Sequence, residues 1–191
     1  MGRRKLGIAV LLLLSVGLLI GGMLVWEPLA KQMEETKEEI QLPAWANVEL
    51  VDAVSGETFR IADFAGQPIL IESFAVWCSI CLRQQREMQR LSELEGGSVI
   101  HISLDTDPNE DLDKVRAHAL RHGFTWLYAV SPIEMTEALI ADFGLTVVNA
   151  PRAPVLFIDS KGTAELLPNG VKTAEELIEL IDLEPDQEGE R

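Results

Sequence analysis

Hydrophobic and polar positions along this chain fall into runs of three kinds. The longest is the uncharged stretch from Leu6 to Trp26, preceded by Arg3, Arg4 and Lys5. As a helix rising about 1.5 Å per residue it would span roughly 30 Å, the thickness of a bilayer core. From Glu27 to Gln41, Glu and Lys dominate, with Met33 and Ile40 the sizeable apolar residues in the middle and at the end. With no apolar stripe to bury, this segment reads as a solvated spacer helix and not as a partner-binding one. Pro43 marks the start of a globular domain. There, Val48 to Val51 alternates as a strand, and Ser55-Gly56 turns it into a second over Glu57 to Ile61. Ile69 to Phe74 and Val99 to Leu104 are nearly continuous apolar runs, the pattern of strands buried on both faces.

Helical spacing takes over between these runs. Met88, Leu91 and Leu94 lie on one face, and Gly96-Gly97 ends that helix. Three later helix starts pair a polar cap with Glu three residues on: Asp107 with Glu110, Ser131 with Glu134, and Thr173 with Glu176. Pro108 and Pro132 occupy the first helical position, where a missing N–H costs nothing, and Gly123 and Gly144 close the first two helices. Trp126 to Val130 is a short strand between them. Val155 to Asp159 is another strand; Ser160-Lys161-Gly162 turns it into a hairpin with Thr163 to Leu167, and a helix from Ala174 to Leu183 follows. Strands alternating with helices, then a terminal hairpin and helix, predict an α/β sandwich around a central mixed sheet, preceded by one N-terminal transmembrane helix. The predicted division is a membrane anchor over residues 1–26, a charged spacer over 27–42, the domain over 43–185 and a flexible tail over 186–191.

Charge sharpens the topology. The basic flank before the apolar run predicts a cytoplasmic N-terminus and an extracytoplasmic domain. A cleaved signal peptide would have a shorter apolar region ending in small residues, whereas this run ends Met23-Leu24-Val25-Trp26-Glu27-Pro28. Beyond Lys5 the chain carries 13 basic against 31 acidic residues, a balance of −18, which argues against nucleic acid or an anionic membrane surface as a partner. With two cysteines the domain must be held by its core and not by a disulfide framework.

Those two cysteines carry the chemistry. Cys78 and Cys81 stand three apart at a predicted helix start, directly after the strand Ile69 to Phe74. Thiols so placed can close a small disulfide ring and reopen it. The helix terminus favours a thiolate at neutral pH. A ring closed over two intervening residues restricts the unfolded chain little, so a purely structural disulfide is the weaker reading. Zinc would need two further ligands; His118 and His122 are the one pair at helical spacing, and they read as a solvated helix face. His101, within a strand, reads as an ordinary core histidine. No metal or cofactor is expected. Glu72 interrupts an apolar strand, where a charged carboxylate is costly, so it either reaches solvent or has a raised pKa.

Phe74-Ala75-Val76-Trp77-Cys78-Ser79-Ile80-Cys81 resembles the active-site segment of thioredoxin, and Asp63 to Leu70 resembles the lead-in of its redoxin, or TlpA-like, branch. Ala153-Pro154-Val155-Leu156-Phe157-Ile158-Asp159 is similar to the segment holding that family's cis-proline. The resemblance covers roughly Pro43 to Leu183. It implies a thioredoxin-like three-layer sandwich and a membrane-tethered thiol–disulfide oxidoreductase facing outward. Its partners would be protein disulfides or dithiols, such as apocytochrome c or other exported proteins, and a membrane-embedded electron donor. It also implies Cys78 as nucleophile at the first exposed helical position, and Cys81 as resolving thiol. Glu72 would be the buried acid that accepts the Cys81 proton. Pro154 would be the cis-proline, with Ala153 presenting its backbone to an extended substrate and Trp77 shielding the thiols and touching substrate, although the residues alone also offer Pro151 and an ordinary trans proline. Three positions depart from the family. Ile80 replaces a common proline, Leu82 a frequent basic residue and Arg86 a helix-kinking proline, so the stretch assigns no direction of electron flow. Two rivals fit less well. A thiol peroxidase would show Pro and Thr where Ile71 and Ala75 stand. A copper-delivering redoxin would space its cysteines one residue wider and use a later His, yet no His follows His122.

Overall fold

The computed structural model describes residues 40–181. The predicted anchor, the spacer up to residue 39, the end of the last helix and the tail lie outside the described residues. No described helix is long and apolar enough to cross a membrane.

Strands β3 (Ile69–Phe74), β4 (Ile100–Asp105), β5 (Leu127–Val130), β6 (Val155–Ile158) and β7 (Ala164–Leu166) form one sheet in the order β5-β4-β3-β6-β7. β3, β4 and β5 are parallel, whereas β6 and β7 run antiparallel to their neighbours, so the expected mixed sheet is present. The first two strands, β1 (Leu50–Val51) and β2 (Thr58–Phe59), instead form a separate hairpin. It caps the β5 edge: the Ala53 N–H donates to the Tyr128 carbonyl at 2.6 Å and Asp52 Oδ1 accepts from the Tyr128 N–H at 3.1 Å. An edge strand is thereby denied to other chains.

Alternation along the strands sorts side chains onto two faces. Ile69, Ile71, Ile102, Leu104, Ala129, Leu156 and Ile158 pack with Met135 and Leu139 of helix α3 (Ile133–Phe143). Leu70, Val155 and Phe157 pack on the other face with Met88 and Leu91 of α1 (Ser79–Glu95) and Leu177 of α4 (Ala174–Leu180). Phe74 and Tyr128 meet Val115 and Ala119 of α2 (Leu112–His122) on that same face. The result is three layers. The second face also takes Glu72, Ser103 and Tyr128, which are in register across β3, β4 and β5 and form a single buried polar row.

Local signals held where no tertiary partner competed. Thr173 caps α4, with its side chain accepting from the Glu176 N–H while the Glu176 carboxylate accepts from the Thr173 N–H. Gly96 and Gly123 close α1 and α2 in the left-handed conformation that glycine adopts without a Cβ penalty. The expected helix start at Asp107 is corrected. Asp107-Pro108-Asn109-Glu110 is a turn closed by the Glu110 N–H on the Asp107 carbonyl, and α2 begins five residues later, capped by Asp111. Ser131 makes no cap either; its hydroxyl is engaged by Thr136, and Pro132 stands at the boundary. Thr173→Ala should lower unfolding stability by about 1 kcal/mol and Thr173→Ser by much less, measured by chemical denaturation.

Candidate active site

Cys78 and Cys81 are joined in a disulfide with their Cα atoms 5.3 Å apart. The chain leaves β3 at Phe74, turns through a Cys78 N–H to Ala75 carbonyl bond of 3.0 Å, and enters α1 with Cys78 as its N-cap. The Cys81 N–H donates to Cys78 Sγ at 3.1 Å, so one otherwise unpaired amide of the helix start points at this sulfur. That donor, with the helix dipole, favours Cys78 as the thiolate once the disulfide is opened. Cys78 is buried at 3 % exposure and does not stand at an exposed helical position as expected, because Val76, Ile80, Leu82 and Ala150 pack around the pair. Cys81 is fully buried, its sulfur 3.2 Å from the Ala150 carbonyl oxygen, which can accept the S–H of the reduced form. α1 runs unbroken through Arg86, as the missing proline implies, and Arg83 and Arg86 are both exposed.

The loop after β4 grips the loop that carries the cysteines. Glu110 Oε2 accepts from the Val76 N–H at 2.7 Å, and Asp107 Oδ2 accepts from Trp77 Nε1 at 2.6 Å. Asp107 is itself held by its N–H on Asp105 Oδ1 at 2.9 Å. Asp107 and Glu110 therefore do not start a helix: Glu110 and one oxygen of Asp107 are committed to the neighbouring loop, and the other Asp107 oxygen accepts from the Asn109 N–H at 2.9 Å to close a local turn. Burial pushes the Asp105 carboxyl up to about 8, and the nearby Glu110 and Asp107 carboxylates add to the rise against the Asp107 N–H bond. Trp77, directly before Cys78 in the chain, is 63 % exposed. A cleft of about 340 Å³ opens beside it, lined by Pro108, Leu145, Val148 and Pro151 among others.

Glu72 has no exposed surface. It faces the α1 side from the middle of β3, one alternate position before Phe74. Glu72 Oε2 accepts from the Ser103 hydroxyl at 3.1 Å, and that hydroxyl accepts from Trp126 Nε1 at 3.0 Å. Burial pushes the carboxyl up to about 8, opposed by Gln85 of α1, by Ser103 and by the positive charge of Lys172. Of the two fates the sequence allowed, this is burial with a raised pKa.

Three expectations are corrected here. His118 is buried and not on a solvated face: its Nε2 meets Gln85 Oε1 at 2.7 Å, and its ring lies among Phe74, His122, Phe124 and Tyr128. Burial and the neighbouring positive groups depress it to about 4, which keeps it neutral. His101, by contrast, is the expected core histidine, buried with its Nε2 3.4 Å from Glu95 Oε1 at the opposite end of β4 from the disulfide. There is no cis peptide among the described residues, so Pro154 is trans. Ala153 makes the chain reversal instead, through a left-handed backbone at φ +46°, and the Pro154 carbonyl accepts from the Ser73 N–H at 3.1 Å. Nor does Ala153 offer its backbone outward. Its N–H donates to the Ala150 carbonyl and its own carbonyl accepts from Lys172 Nζ, both at 2.9 Å, in a fully buried residue.

Ser103, Gln85 and Lys172 carry no expectation from the sequence, and Glu110 only that of a helix cap. Ser103 carried a signal, being the polar residue in an apolar strand with the parity that sets it beside Glu72. The other three are placed by contacts distant in sequence.

The redoxin family model matches residues 37–164, more than half of the chain. The chain belongs to the redoxin family. Thioredoxin-like protein YneN of Bacillus subtilis (strain 168) is 23 % identical to this redoxin over 176 residues, covering 92 % of this chain and 95 % of that protein. Solved structures share the fold. One is a secreted Mycobacterium tuberculosis disulfide oxidoreductase homologous to Escherichia coli DsbE, at TM-score 0.58 and 14 % identity over 72 % of this chain and 96 % of that one. Another is the exposed lipoprotein thioredoxin Etrx1 of Streptococcus pneumoniae strain TIGR4, at TM-score 0.53 and 19 % identity over 71 % and 97 %. With its Cys-x-x-Cys pair closed at the helix start, this redoxin is a thiol–disulfide oxidoreductase.

The buried carboxyls give the oxidised protein a signed pH dependence. Glu72 and Asp105 keep their protons up to about pH 8, while their unfolded counterparts lose them near 4.5 and 3.8. The folded state then binds more protons than the unfolded state, and stability falls as pH rises through this window. His118 and Lys172, both depressed by burial, act in the opposite sense because the unfolded chain binds the extra proton, and near pH 7 the two carboxyls outweigh them. Denaturation midpoints should therefore decline as pH rises through 7, and Glu72→Gln should remove more than half of that decline, since Asp105 alone is left against His118 and Lys172.

Proposed function

We propose that this redoxin is an exported, membrane-anchored oxidoreductase that exchanges disulfides with protein substrates, with Cys78 as nucleophile, Cys81 as resolving thiol and Glu72 as proton acceptor. The observation that carries the reading is the Cys81 N–H aimed at Cys78 Sγ, with the fully buried Glu72 carboxyl on the strand that leads into the pair. In the reducing direction, the Cys78 thiolate attacks one sulfur of a substrate disulfide. A mixed disulfide forms, and the first substrate sulfur leaves as a thiolate that takes a proton from water. Glu72 then takes the Cys81 proton, and the Cys81 thiolate attacks Cys78 Sγ. The intramolecular disulfide closes and the second substrate thiolate departs, two electrons having passed to the substrate. A carboxyl that titrates at about 8 changes charge in the range where thiols do, which suits it to this exchange in either direction.

Trp77 fits a substrate contact, because it directly precedes Cys78, its indole is exposed and its Nε1 is fixed by Asp107. Pro154, buried and trans, is assigned to shaping the wall behind the pair. The apolar run Leu6 to Trp26 with its basic flank supports the anchor and the outward orientation. Protein substrates reduced on that side of the membrane, apocytochrome c among them, and an electron donor embedded in the bilayer complete the reading.

Reduction of insulin disulfides by the full chain tests the chemistry. Cys78→Ser should abolish turnover, and Cys81→Ser should accumulate the mixed disulfide. Glu72→Gln should fold normally and slow resolution by roughly 10²-fold or more, in line with the usual contribution of a positioned general base. Resolution unchanged by Glu72→Gln at every pH would remove the acid from the mechanism. Fusion of alkaline phosphatase after residue 42 tests the topology, with activity expected for an exported domain and none for a cytoplasmic one.

A further inference from the structure

Lys172 is a buried cation that the exchange reaction, as written, does not use. It is 4 % exposed and sits directly before Thr173, the cap of α4. Its ammonium donates to three backbone carbonyls: Ala153 at 2.9 Å, Pro168 at 3.0 Å and Gly170 at 2.6 Å. All three donors of the group are used, and among the described residues no carboxylate lies within ion-pair distance. Gln84 of α1 fixes the backbone around it, with Oε1 accepting from the Lys172 N–H at 2.8 Å and Nε2 donating to the Lys172 carbonyl at 3.2 Å. Consecutive α1 residues one turn beyond the disulfide thus serve two partners, Gln84 holding Lys172 and Gln85 facing Glu72.

Two lines of contact run from this ammonium to the resolving sulfur. The first is through the backbone. Lys172 holds the Ala153 carbonyl, the Ala153 N–H holds the Ala150 carbonyl, and that carbonyl faces Cys81 Sγ at 3.2 Å. The left-handed Ala153 at the middle of this path is a conformation that a residue with a Cβ adopts at a cost, so an external clamp is needed to keep it. The second is through charge. Ala153 lies two residues before Val155, the β6 residue in register with Glu72, and the Lys172 charge opposes the rise that burial imposes on the Glu72 carboxyl. The other groups facing Glu72 supply no charge to do this. Ser103 on β4 and Tyr128 on β5 are neutral hydroxyls, burial pushing the tyrosine up, and Gln85 on α1 backs onto the neutral His118 of α2. Lys172 for its part feels Glu72 and Glu176, whose negative charges oppose the fall that burial imposes on it.

We propose that Lys172 is a positioning residue of the redox site, clamping the 150–153 turn against the Cys81 sulfur and acting electrostatically on Glu72 from the β6 side, opposite Ser103 and Tyr128. The charge half of the proposal rests on the reading of Glu72 as the acid that serves Cys81 only for its functional consequence; the pairing itself is a property of the folded protein. Loss of the cation raises the proton affinity of Glu72 further, and loss of Glu72 lowers the proton affinity of Lys172, because coupling between two sites is reciprocal.

The test follows the Glu72 carboxyl by ¹³C NMR in the full chain, in Lys172→Met and in Lys172→Gln, alongside the pH profile of mixed-disulfide resolution. Lys172→Gln keeps donors for the carbonyls and loses the charge, whereas Lys172→Met loses both. The Glu72 midpoint should rise by roughly one pH unit or more in both variants, the shift that removal of a nearby opposite charge produces. Amide exchange at Ala153 should quicken roughly ten-fold in Lys172→Met and less in Lys172→Gln, as expected for losing about one net hydrogen bond. Should both Lys172 variants fail to fold, Glu72→Gln carries the test, because the Lys172 side-chain midpoint should fall in that variant. A Glu72 midpoint unmoved by Lys172→Gln, or a Lys172 midpoint unmoved by Glu72→Gln, overturns the pairing, and unchanged Ala153 exchange in Lys172→Met overturns the clamp. If the midpoints move while the resolution profile does not follow, the pairing stands and it is the proton-acceptor role of Glu72 that fails.

Discussion

Placing an ionisable carboxyl inside a sheet is the constraint around which this domain is arranged. Glu72 occupies the central strand, in register with Ser103 and then Tyr128 across two parallel neighbours, and every group in that row is buried. An ionised carboxylate there loses its water, a penalty of several kcal/mol that hydrogen bonds and charge must offset. The surroundings offset part of it, through the Ser103 hydroxyl, the Gln85 amide and the Lys172 ammonium, and leave the group titrating at about 8. Full compensation would leave a permanent anion, and none would leave a permanent acid. The partial balance yields a buried group that changes charge near pH 8, within the range where thiols titrate.

The disulfide is held by elements that come from four parts of the chain. β3 delivers the pair, α1 orients the Cys81 amide toward Cys78, the turn after β4 grips Val76 and Trp77, and the 150–153 turn sets a carbonyl against Cys81. Each is a backbone or carboxylate contact with little freedom of its own. These contacts give the pair a fixed setting at the start of α1. The exposed Trp77 and the cleft beside it are left as the open side.

What the sequence made legible divides along the range of the interactions. β3, β4 and β6 are buried on both faces and so appear as continuous apolar runs, which made the mixed sheet and the strand–turn–helix around Cys78 readable. Thr173 and Glu176 cap a helix as their spacing says because nothing else claims them. Asp107 and Glu110 have the same spacing and make no helix, since Trp77 and Val76, thirty and thirty-four residues earlier, take their carboxylates. His118 looked like an exposed helical residue until Gln85 and a ring of aromatic side chains closed over it. Lys172 gave no local sign at all, because its three partners are carbonyls, and a carbonyl is present at every residue. Ala153 and Pro154 drew their expected roles from family likeness, and in this chain a left-handed alanine held by Lys172 performs the reversal.

The central claim is that Cys78 and Cys81 act as one two-electron couple. Equilibrating the full chain in a graded series of thiol–disulfide buffers, quenching with an alkylating reagent and weighing the products tests it most directly. The account predicts a single transition between unlabelled and doubly labelled protein, with the two-electron slope of about 30 mV per tenfold change in ratio. A singly labelled species that dominates the transition, or a pair that stays oxidised or reduced across the whole series, would contradict it.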